Sequence, residues 1–172
     1  DGSDRITILD SPSLNPDSQI TICAWYKGEQ FSGLGYSAIL DKGFTSHSAP
    51  TYQYKLGASA GFNNEYSFGF SLSINGVENR IGTPFQYWTA ENWYFLVGMY
   101  DGYVQRFYVN NSLISSDSVT GPLDNYNTPL YIGDNTTSSD KLQGNVDDVR
   151  IYDRALTPNE IENLFHEGLC KT

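Results

Sequence analysis

Residues 66–81 have the sequence YSFGFSLSINGVENRI, and this stretch decides the fold class. From Tyr66 to Ile74, large apolar side chains alternate strictly with Ser and Gly, which is the period of a β-strand with one buried face. Asn75-Gly76 follows, and this dipeptide is a strong signal for a two-residue hairpin turn. The pattern predicts an antiparallel hairpin. Its small residues would line a shallow groove or face water: Ser67, Gly69, Ser71 and Ser73.

Similar short segments fill most of the chain. Each is bounded by Gly, Asn or Asp, and no helical pattern lies between them, which is typical of an antiparallel sandwich. Residues 93–100 (WYFLVGMY) are apolar on both faces, as in the middle of a sheet. Besides residues 66–74 and 77–81, strands are predicted at 5–9, 20–27, 38–41, 52–56, 93–100, 103–109, 113–118, 130–133 and 146–152.

One helix is predicted at the C-terminus. Thr157-Pro158-Asn159-Glu160 has the pattern of a capping box with proline at the first helical position. Ile161, Leu164 and Phe165 then form one apolar stripe, and Gly168 is expected to end the helix. We expect this helix to pack on a sheet edge or on one end of the sandwich. The sequence thus predicts a single all-β domain over residues 1–172, an antiparallel two-sheet β-sandwich with one short C-terminal helix.

Composition excludes several classes of partner. The formal charge of −10, from 10 Lys+Arg against 20 Asp+Glu, leaves no basic stripe for nucleic acid or an anionic membrane surface. No apolar run approaches the roughly 20 residues that span a bilayer. Aromatic residues make up 15% of the chain, which excludes a solvated disordered segment.

The cysteines and the chain start bear on compartment. Cys23 lies in an apolar strand and Cys170 near the C-terminus, either as two free thiols or as one bridge closing nearly the whole chain. The chain opens with Asp1-Gly2-Ser3-Asp4, which is not a signal peptide, so we expect a mature or excised piece of a longer protein. With two Asn-x-Ser/Thr sequons, at Asn110 and Asn135, the composition favours an extracellular or cell-surface setting.

The C-terminal run carries a family resemblance. Residues 144–156, GNVDDVRIYDRAL, resemble the closing strand of concanavalin A-like, laminin-G-like jelly-roll modules, which also end in a short helix. Other segments occur in the family's order: Asp1-Gly2-Ser3-Asp4, residues 20–26 (ITICAWY), Asp41-Lys42-Gly43, residues 93–102 (WYFLVGMYDG) and residues 130–133 (LYIG). The resemblance implies a concanavalin A-like jelly roll that is mostly non-catalytic, is appended to extracellular proteins and often binds carbohydrate. It also matches Trp25 and Trp93 to structural tryptophans of the core.

A calcium site is expected near the start of the closing strand. Alternation places Asp147 on the same side as Val149 and Ile151, towards the core, where a carboxylate needs a partner. In the resembling modules the opening and closing segments share a calcium ion. Carried over, the ligands are Asp1, the Gly2 carbonyl, Asp147 and Asp148, with Asp4 as a further contributor. Alternatively, these carboxylates bond only to backbone N–H groups. Asp134, Asn135 and Asp140 form a second acidic cluster, which binds calcium or is a solvated loop.

Catalysis is not expected. Retaining glycosidases need two carboxyl groups about 5–5.5 Å apart, and no strand has Asp or Glu at alternate positions. The two histidines, His47 and His166, are expected to be solvated.

Several aromatic residues are candidates for sugar stacking, because sugars bind to aromatic faces supplemented by polar groups. Trp88 lies between strands, Tyr36 and Tyr52 border Gly/Ser-rich segments, and Tyr126 lies in another loop. The sequence therefore predicts a non-catalytic extracellular carbohydrate-binding module, stabilised by calcium, that binds a polysaccharide or glycan beside other domains of a larger protein. The alternative is a structural or adhesive domain of a pilin, surface fibre or virion.

Overall fold

The computed structural model describes residues 4–28, 36–43, 52–59, 68–84, 87, 89–134 and 142–169, with the backbone alone for residues 36, 37 and 59. Within these ranges lie eleven strands, a 3-10 turn (Pro12–Leu14) and one α-helix, α1 (Pro158–Leu169). No helix in the described part of the chain is long and apolar enough to cross a membrane. The strands are β1 (Ile6–Ile8), β2 (Ile20–Gly28), β3 (Tyr36–Lys42), β4 (Tyr54–Ser59), β5 (Phe68–Ile74), β6 (Val77–Gly82), β7 (Trp93–Tyr100), β8 (Val104–Val109), β9 (Ser112–Ser118), β10 (Leu130–Ile132) and β11 (Gly144–Tyr152).

The strands form two antiparallel sheets. Sheet A has the order β1-β10-β3-β4-β5-β6, and sheet B has the order β11-β2-β7-β8-β9. Every predicted strand is present, with ends within about three residues of the predicted positions. The two-sheet sandwich with a C-terminal helix is therefore confirmed. Local alternation was sufficient because every strand except the exposed β1 has one face on a common core.

The core lies between the inner faces of the two sheets. In sheet A the cross-strand partners Leu56, Phe70 and Ile81 form one inward row. In sheet B the even-numbered residues of β2, from Ile20 to Tyr26, form the facing row and are fully buried. Phe68 meets Tyr26 edge to face across this interior, with ring centroids 6.1 Å apart. The alternating aromatic residues of the hairpin thus fill the sandwich.

Helix α1 covers the outer face of sheet B. It packs on a second apolar cluster, in which Phe165 stacks on Trp25 with ring centroids 5.7 Å apart. The predicted position on a sheet edge or sandwich end is therefore wrong. The odd-numbered side chains of β2 and β7 explain the packing, since they make that outer face apolar: Cys23, Trp25, Phe95, Val97 and Met99.

The start of α1 follows the prediction, but its end does not. The capping box is confirmed, since Glu160 N–H donates to Thr157 Oγ1 (3.3 Å) and Thr157 N–H to Glu160 Oε2 (2.8 Å). Gly168, however, lies inside the helix. A Cβ at this position would be 2.0 Å from Trp25 Nε1, so glycine permits the close approach of helix and indole. Trp25 is buried as predicted, whereas Trp93 is only half-buried beside the same cluster.

A β-bulge in β11 overturns the predicted direction of Asp147. Between Asp147 and Arg150 the register with β2 shifts, and Asp148 adopts a positive φ of 48°. A bulge adds one residue to the strand and so exchanges the faces beyond it. Val146 and Val149 therefore both pack on the core, while Asp147 is exposed. The expectation that Asp147 faces the core is wrong.

Candidate functional site

The outer face of sheet A, opposite the core, carries a row of polar side chains. Asp41, Lys55, Ser71 and Arg80 are direct partners on four adjacent strands. Directly opposed residues point to the same side of a sheet, and the neighbouring row points to the core, so these four share the outer face. We call Asp41, Lys55, Ser71, Ser73 and Arg80 the outer polar face.

The centre of the outer polar face is buried. Asp41 and Lys55 are both 0% exposed, with Lys55 Nζ 3.5 Å from Asp41 Oδ2. Because a buried carboxylate and ammonium each need an opposite charge, this pair is strongly interdependent. Lys55 Nζ also lies 4.4 Å from the ring centroid of Tyr52, within the range of a cation–π contact. Tyr52, a predicted sugar-binding residue, is therefore placed beside the outer polar face.

At the β6 edge of this face, hydrogen bonds from Arg80 link neighbouring side chains. Arg80 Nε donates to Ser71 Oγ (3.2 Å), and Arg80 Nη2 donates to Glu78 Oε1 (2.7 Å). Ser71 and Ser73 are at most 1% exposed. The strip of small residues therefore does not face water. Ser71 and Ser73 are hydrogen-bonded to the longer polar side chains of Arg80 and Asp124.

Tyr126 is fixed beside the same face. Its N–H donates to Gln53 Oε1 (3.1 Å), and its hydroxyl lies 3.5 Å from Ser73 Oγ. Ser73 Oγ in turn donates to Asp124 Oδ2 (2.6 Å). Tyr126 is half-buried, and both its backbone N–H and its hydroxyl group contact neighbouring residues. The structure thus brings Tyr52 and Tyr126, which are far apart in sequence, to one surface.

Each residue of the run Asp41-Lys42-Gly43 helps to position the outer polar face or the loop that carries Tyr126. Asp41 pairs with Lys55 on the outer face, while Lys42 points the other way. Lys42 Nζ donates to Asp10 Oδ1 (2.9 Å) and to the carbonyls of Tyr126 (2.7 Å) and Thr128 (3.0 Å). Lys42 therefore holds the loop that carries Tyr126.

Gly43 makes room for the Tyr126 ring. Its φ is +88°, and a Cβ there would lie 2.9 Å from Tyr126 Cδ2 and 2.8 Å from Gln53 N. Glycine adopts this left-handed conformation without strain. Lys42, Gly43 and Gln53 are positioning residues that the sequence reasoning did not identify. The Asp-Lys-Gly run was a signal for the first two, but not for their long-range contacts.

The other predicted aromatic residues cannot be placed. Trp88 lies outside the described residues, and the structure describes only the backbone of Tyr36, the first residue of β3. Their role in binding remains a prediction.

The predicted calcium ligands lie in part around a separate cavity. Asp4, Asp147 and Asp148 line a space of about 340 Å³ between the edge strands β1 and β11. Asp147 Oδ1 accepts the N–H of Asp148 (2.7 Å), as in the alternative of backbone bonding. Asp148 lies 3.7 Å from Arg150, and among the described residues no three His, Cys, Asp or Glu side chains are grouped for a metal. The described residues alone do not form a calcium site.

The remaining members of the two predicted acidic clusters lie elsewhere. Asp1 and Gly2 fall outside the described residues, as do Asn135 and Asp140 of the second cluster. Asp134, from that second cluster, lies 3.9 Å from Arg5. Whether either cluster binds calcium therefore remains a prediction.

Cys23 is buried on the outer face of sheet B. Burial raises the pKa of its thiol to about 12, so the thiol stays protonated at neutral pH. Cys170 lies outside the described residues, and a bridge between the two remains a prediction.

The fold and this site define a class of protein, which comparison with known families identifies. The model of the concanavalin A-like lectin/glucanases superfamily matches residues 1–162. The chain therefore belongs to this superfamily, and the laminin-G-like resemblance is confirmed. No curated protein gives a significant sequence match.

Solved structures with the same fold include several binding domains. The binding domain of Paraclostridial Mosquitocidal Protein 1 aligns with a TM-score of 0.70 and 20% identity over 95% of this chain and 41% of that one. The binding domain of Botulinum Neurotoxin DC, in complex with SialylT, aligns with a TM-score of 0.68 and 14% identity over 95% and 39%. This chain thus spans about two fifths of either toxin domain.

A third similar structure comes from a glycoside hydrolase. It is domain 4 of AbnA, an extracellular arabinanase from Geobacillus stearothermophilus, in complex with arabinotriose. It aligns with a TM-score of 0.66 and 18% identity over 95% of this chain and 73% of that one. At such identities the similarity shows the shared fold.

Proposed function

We propose that this chain is a non-catalytic, extracellular carbohydrate-binding module that binds glycan on the outer polar face of sheet A. The observation that carries the proposal is that Tyr52 and Tyr126 adjoin one surface of fixed polar side chains. Membership of a superfamily of lectins and glucanases supports it. The glycan-bound neighbours, one of them extracellular, support it as well.

The chemistry of the face suits a sugar. A half-buried tyrosine ring presents an apolar surface to the C–H groups of a pyranose or furanose, while hydroxyl groups bond to polar side chains at its edge. Arg80 and Asp124 provide donors and acceptors whose positions are already set by internal hydrogen bonds to the buried Ser71 and Ser73. Because these groups are ordered before binding, little conformational entropy is lost when a ligand binds.

The ion pairs of this face argue against catalysis there. Its two outward carboxylates, Asp41 and Glu78, are each held by a cation, Lys55 and Arg80. A carboxylate that is engaged by a cation is held in place as a hydrogen-bond acceptor. We therefore assign the buried Asp41 carboxylate to structure and the partly exposed Glu78 carboxylate to ligand contact.

We further propose a structural calcium ion at the junction of β1 and β11. Asp4, Asp147 and Asp148 line the cavity there, and Asp1 with the Gly2 carbonyl would complete the oxygen ligands. The ion would stabilise the fold by linking the two sheets. We expect EDTA to lower the melting temperature and added calcium to restore it. Equal melting curves under both treatments would refute this part of the proposal.

A glycan array, run with and without calcium and followed by calorimetry on the retained glycans, tests the binding function. Tyr126→Ala and Trp88→Ala should each weaken binding about tenfold or more, since one stacked ring contributes roughly 0.5–1.5 kcal/mol beyond its buried area. Tyr103→Ala is the matched control, because Tyr103 is 72% exposed in the turn between β7 and β8. Equal affinities for Tyr126→Ala and the control would contradict the site. Retention of no glycan would contradict the function.

One observation favours a second candidate, an adhesive domain with a protein partner. The β1 segment exposes a run of apolar side chains, with Ile6 at 59%, Ile8 at 39% and Leu9 at 78% exposure. Such an edge strand is suited to pairing with another chain. Analytical ultracentrifugation of the wild type and Leu9→Asp tests for self-association, with Val77→Asp as the matched control. A monomer at every concentration would refute association between copies.

A further inference from the structure

We infer that the ligand of this module is an uncharged glycan, and that glycans bearing carboxylate or sulfate groups are disfavoured. The inference rests on the proposed function, because it concerns the outer polar face of sheet A. It depends on a separate observation, which is where the positive charges of this chain lie and what each of them contacts.

The cations around this face already have carboxylate partners. Lys55 Nζ lies 3.5 Å from Asp41, and Arg80 Nη2 lies 2.7 Å from Glu78. Lys42, which holds the Tyr126 loop, lies 2.9 Å from Asp10. The ammonium groups of Lys55 and Lys42 are fully buried and out of reach. A carboxylate on an incoming glycan would therefore have to displace the carboxylate oxygens of Glu78 from Arg80. An uncharged hydroxyl would not, since it can donate to those same oxygens.

The rest of the described residues offer no substitute cation. Lys141 and Lys171 lie outside the described residues, and the other five described Lys and Arg residues each have a carboxylate within 3.9 Å. The segments that connect successive strands from β2 to β7, namely 29–35, 43–53, 60–67, 75–76 and 83–92, contain no Lys or Arg in the sequence. No positive side chain is therefore supplied by the loops of this part of the chain.

The start of α1, which could otherwise hold an anion, is also engaged internally. Backbone N–H groups at the start of a helix attract anions. Here the Glu160 carboxylate accepts the N–H and the hydroxyl of Thr157 (2.8 and 2.9 Å). An acidic glycan on the outer polar face would thus meet a paired cation and a chain with a net charge of −10, and the helix start on the other sheet offers it no alternative site. It would lose hydration on binding without gaining a counter-charge.

The test uses matched glycans that differ only in charge. Each neutral glycan retained on the array is paired with a uronate, sialylated or sulfated derivative of the same backbone. Affinities are measured at pH 7.5, where histidine is neutral, at low and at high salt. We expect the acidic member to bind roughly threefold or more weakly at low salt, with a smaller difference at high salt. Tighter binding of the acidic member would overturn the inference while leaving the function intact. Retention of neither member would overturn the proposed function.

A pair of variants tests the cause. Glu78→Gln weakens the pairing of Arg80 on the outer polar face, and it should reduce discrimination against the acidic member by about twofold or more. Glu167→Gln is the control, because it makes the same change in charge beside Arg150 on the other sheet. Discrimination that is the same in wild type and Glu78→Gln would overturn the assignment to paired cations. A loss that is equal in both variants would overturn it too, because net charge alone would then explain the effect.

Discussion

Replacing Lys42 with methionine tests how the Tyr126 loop is held. The ammonium group of Lys42 is fully buried and uses its three donors on Asp10, Tyr126 and Thr128. Methionine keeps most of the stem but removes every donor. The two loop carbonyls then lose their partner, and the loop loses its link to β3.

The cost follows from the number and kind of bonds lost. A buried carbonyl without a donor costs about 1–3 kcal/mol, and breaking a buried charged pair costs about 3–5 kcal/mol. Because Asp10 is near the surface and can regain water, we expect Lys42→Met to lower the free energy of unfolding by about 3–5 kcal/mol. This is a large fraction of the roughly 5–15 kcal/mol typical of a domain.

Urea denaturation followed by tryptophan fluorescence measures the effect. Lys27→Met is the matched control, because Lys27 Nζ lies 3.8 Å from Glu91 at the surface and should contribute less than about 1 kcal/mol. At a temperature where Lys42→Met is still folded by circular dichroism, it should also have lost glycan binding. If the two variants have equal stability, the reasoning about Lys42 is wrong.

The same variant has a signature in acid. The hydrogen bond from Lys42 lowers the pKa of Asp10, with a further bond from Asn15. A lowered folded-state pKa contributes stability that is present above the ordinary value near 3.9 and is lost as pH falls through the folded value. Lys42→Met removes the main cause, so its stability should fall less steeply than that of the wild type between about pH 5 and pH 3. Parallel curves would refute the link between the two residues.

Three further predictions concern α1 and sheet B. Gly168→Ala should lower stability by about 1–3 kcal/mol through overpacking against the indole beneath it, whereas Gly69→Ala, whose Cβ would be 3.5 Å from its nearest neighbour, should cost less in the same melts. Hydrogen bonds from Arg154 and from the N–H and hydroxyl of Thr157 lower the pKa of Glu160 to about 2, so the stabilisation they provide is lost as pH falls from about 4.3 towards 2. In Glu160→Gln the melting temperature should therefore fall less over that range than in the wild type, and an equal fall would count against the pair. The thiol of Cys23 should not react with Ellman's reagent until the protein unfolds, and rapid labelling of the native protein at this cysteine would contradict its burial.

The strands could be predicted from the sequence because alternation is a local property. The strand Phe68–Ile74 shows this most clearly, since its inward side chains are apolar without interruption. The bulge in β11 could not be predicted in this way. One residue at a positive φ, Asp148, changes the face of every residue that follows, and Asp-Asp is not a turn signal of the strength of Asn-Gly. The error at Asp147 follows from that single insertion.

The site was predictable only in part, because its geometry depends on contacts between distant segments. Tyr52 and Tyr126 were identified as loop aromatic residues, but their common surface depends on bonds across more than 70 positions, such as that from Tyr126 N–H to Gln53. Lys42 illustrates the difficulty, because lysine is rarely buried in proteins. Here its ammonium is buried against loop carbonyls 84 and 86 positions away.

The acidic excess of the chain has a structural origin that bears on its ligand. Carboxylates here accept hydrogen bonds from backbone N–H groups at turns, as Asp124 does from Gly76 (2.8 Å) and Asp101 from Tyr103 (2.9 Å). Burial opposes ionisation of Asp101, yet the Arg106 guanidinium and two backbone N–H groups lower its pKa overall. A turn fixed in this way needs a carboxylate but no cation, while each described cation is paired with a carboxylate. A sequence that uses many such turns therefore carries an excess of carboxylates, which is consistent with the proposed preference for an uncharged glycan.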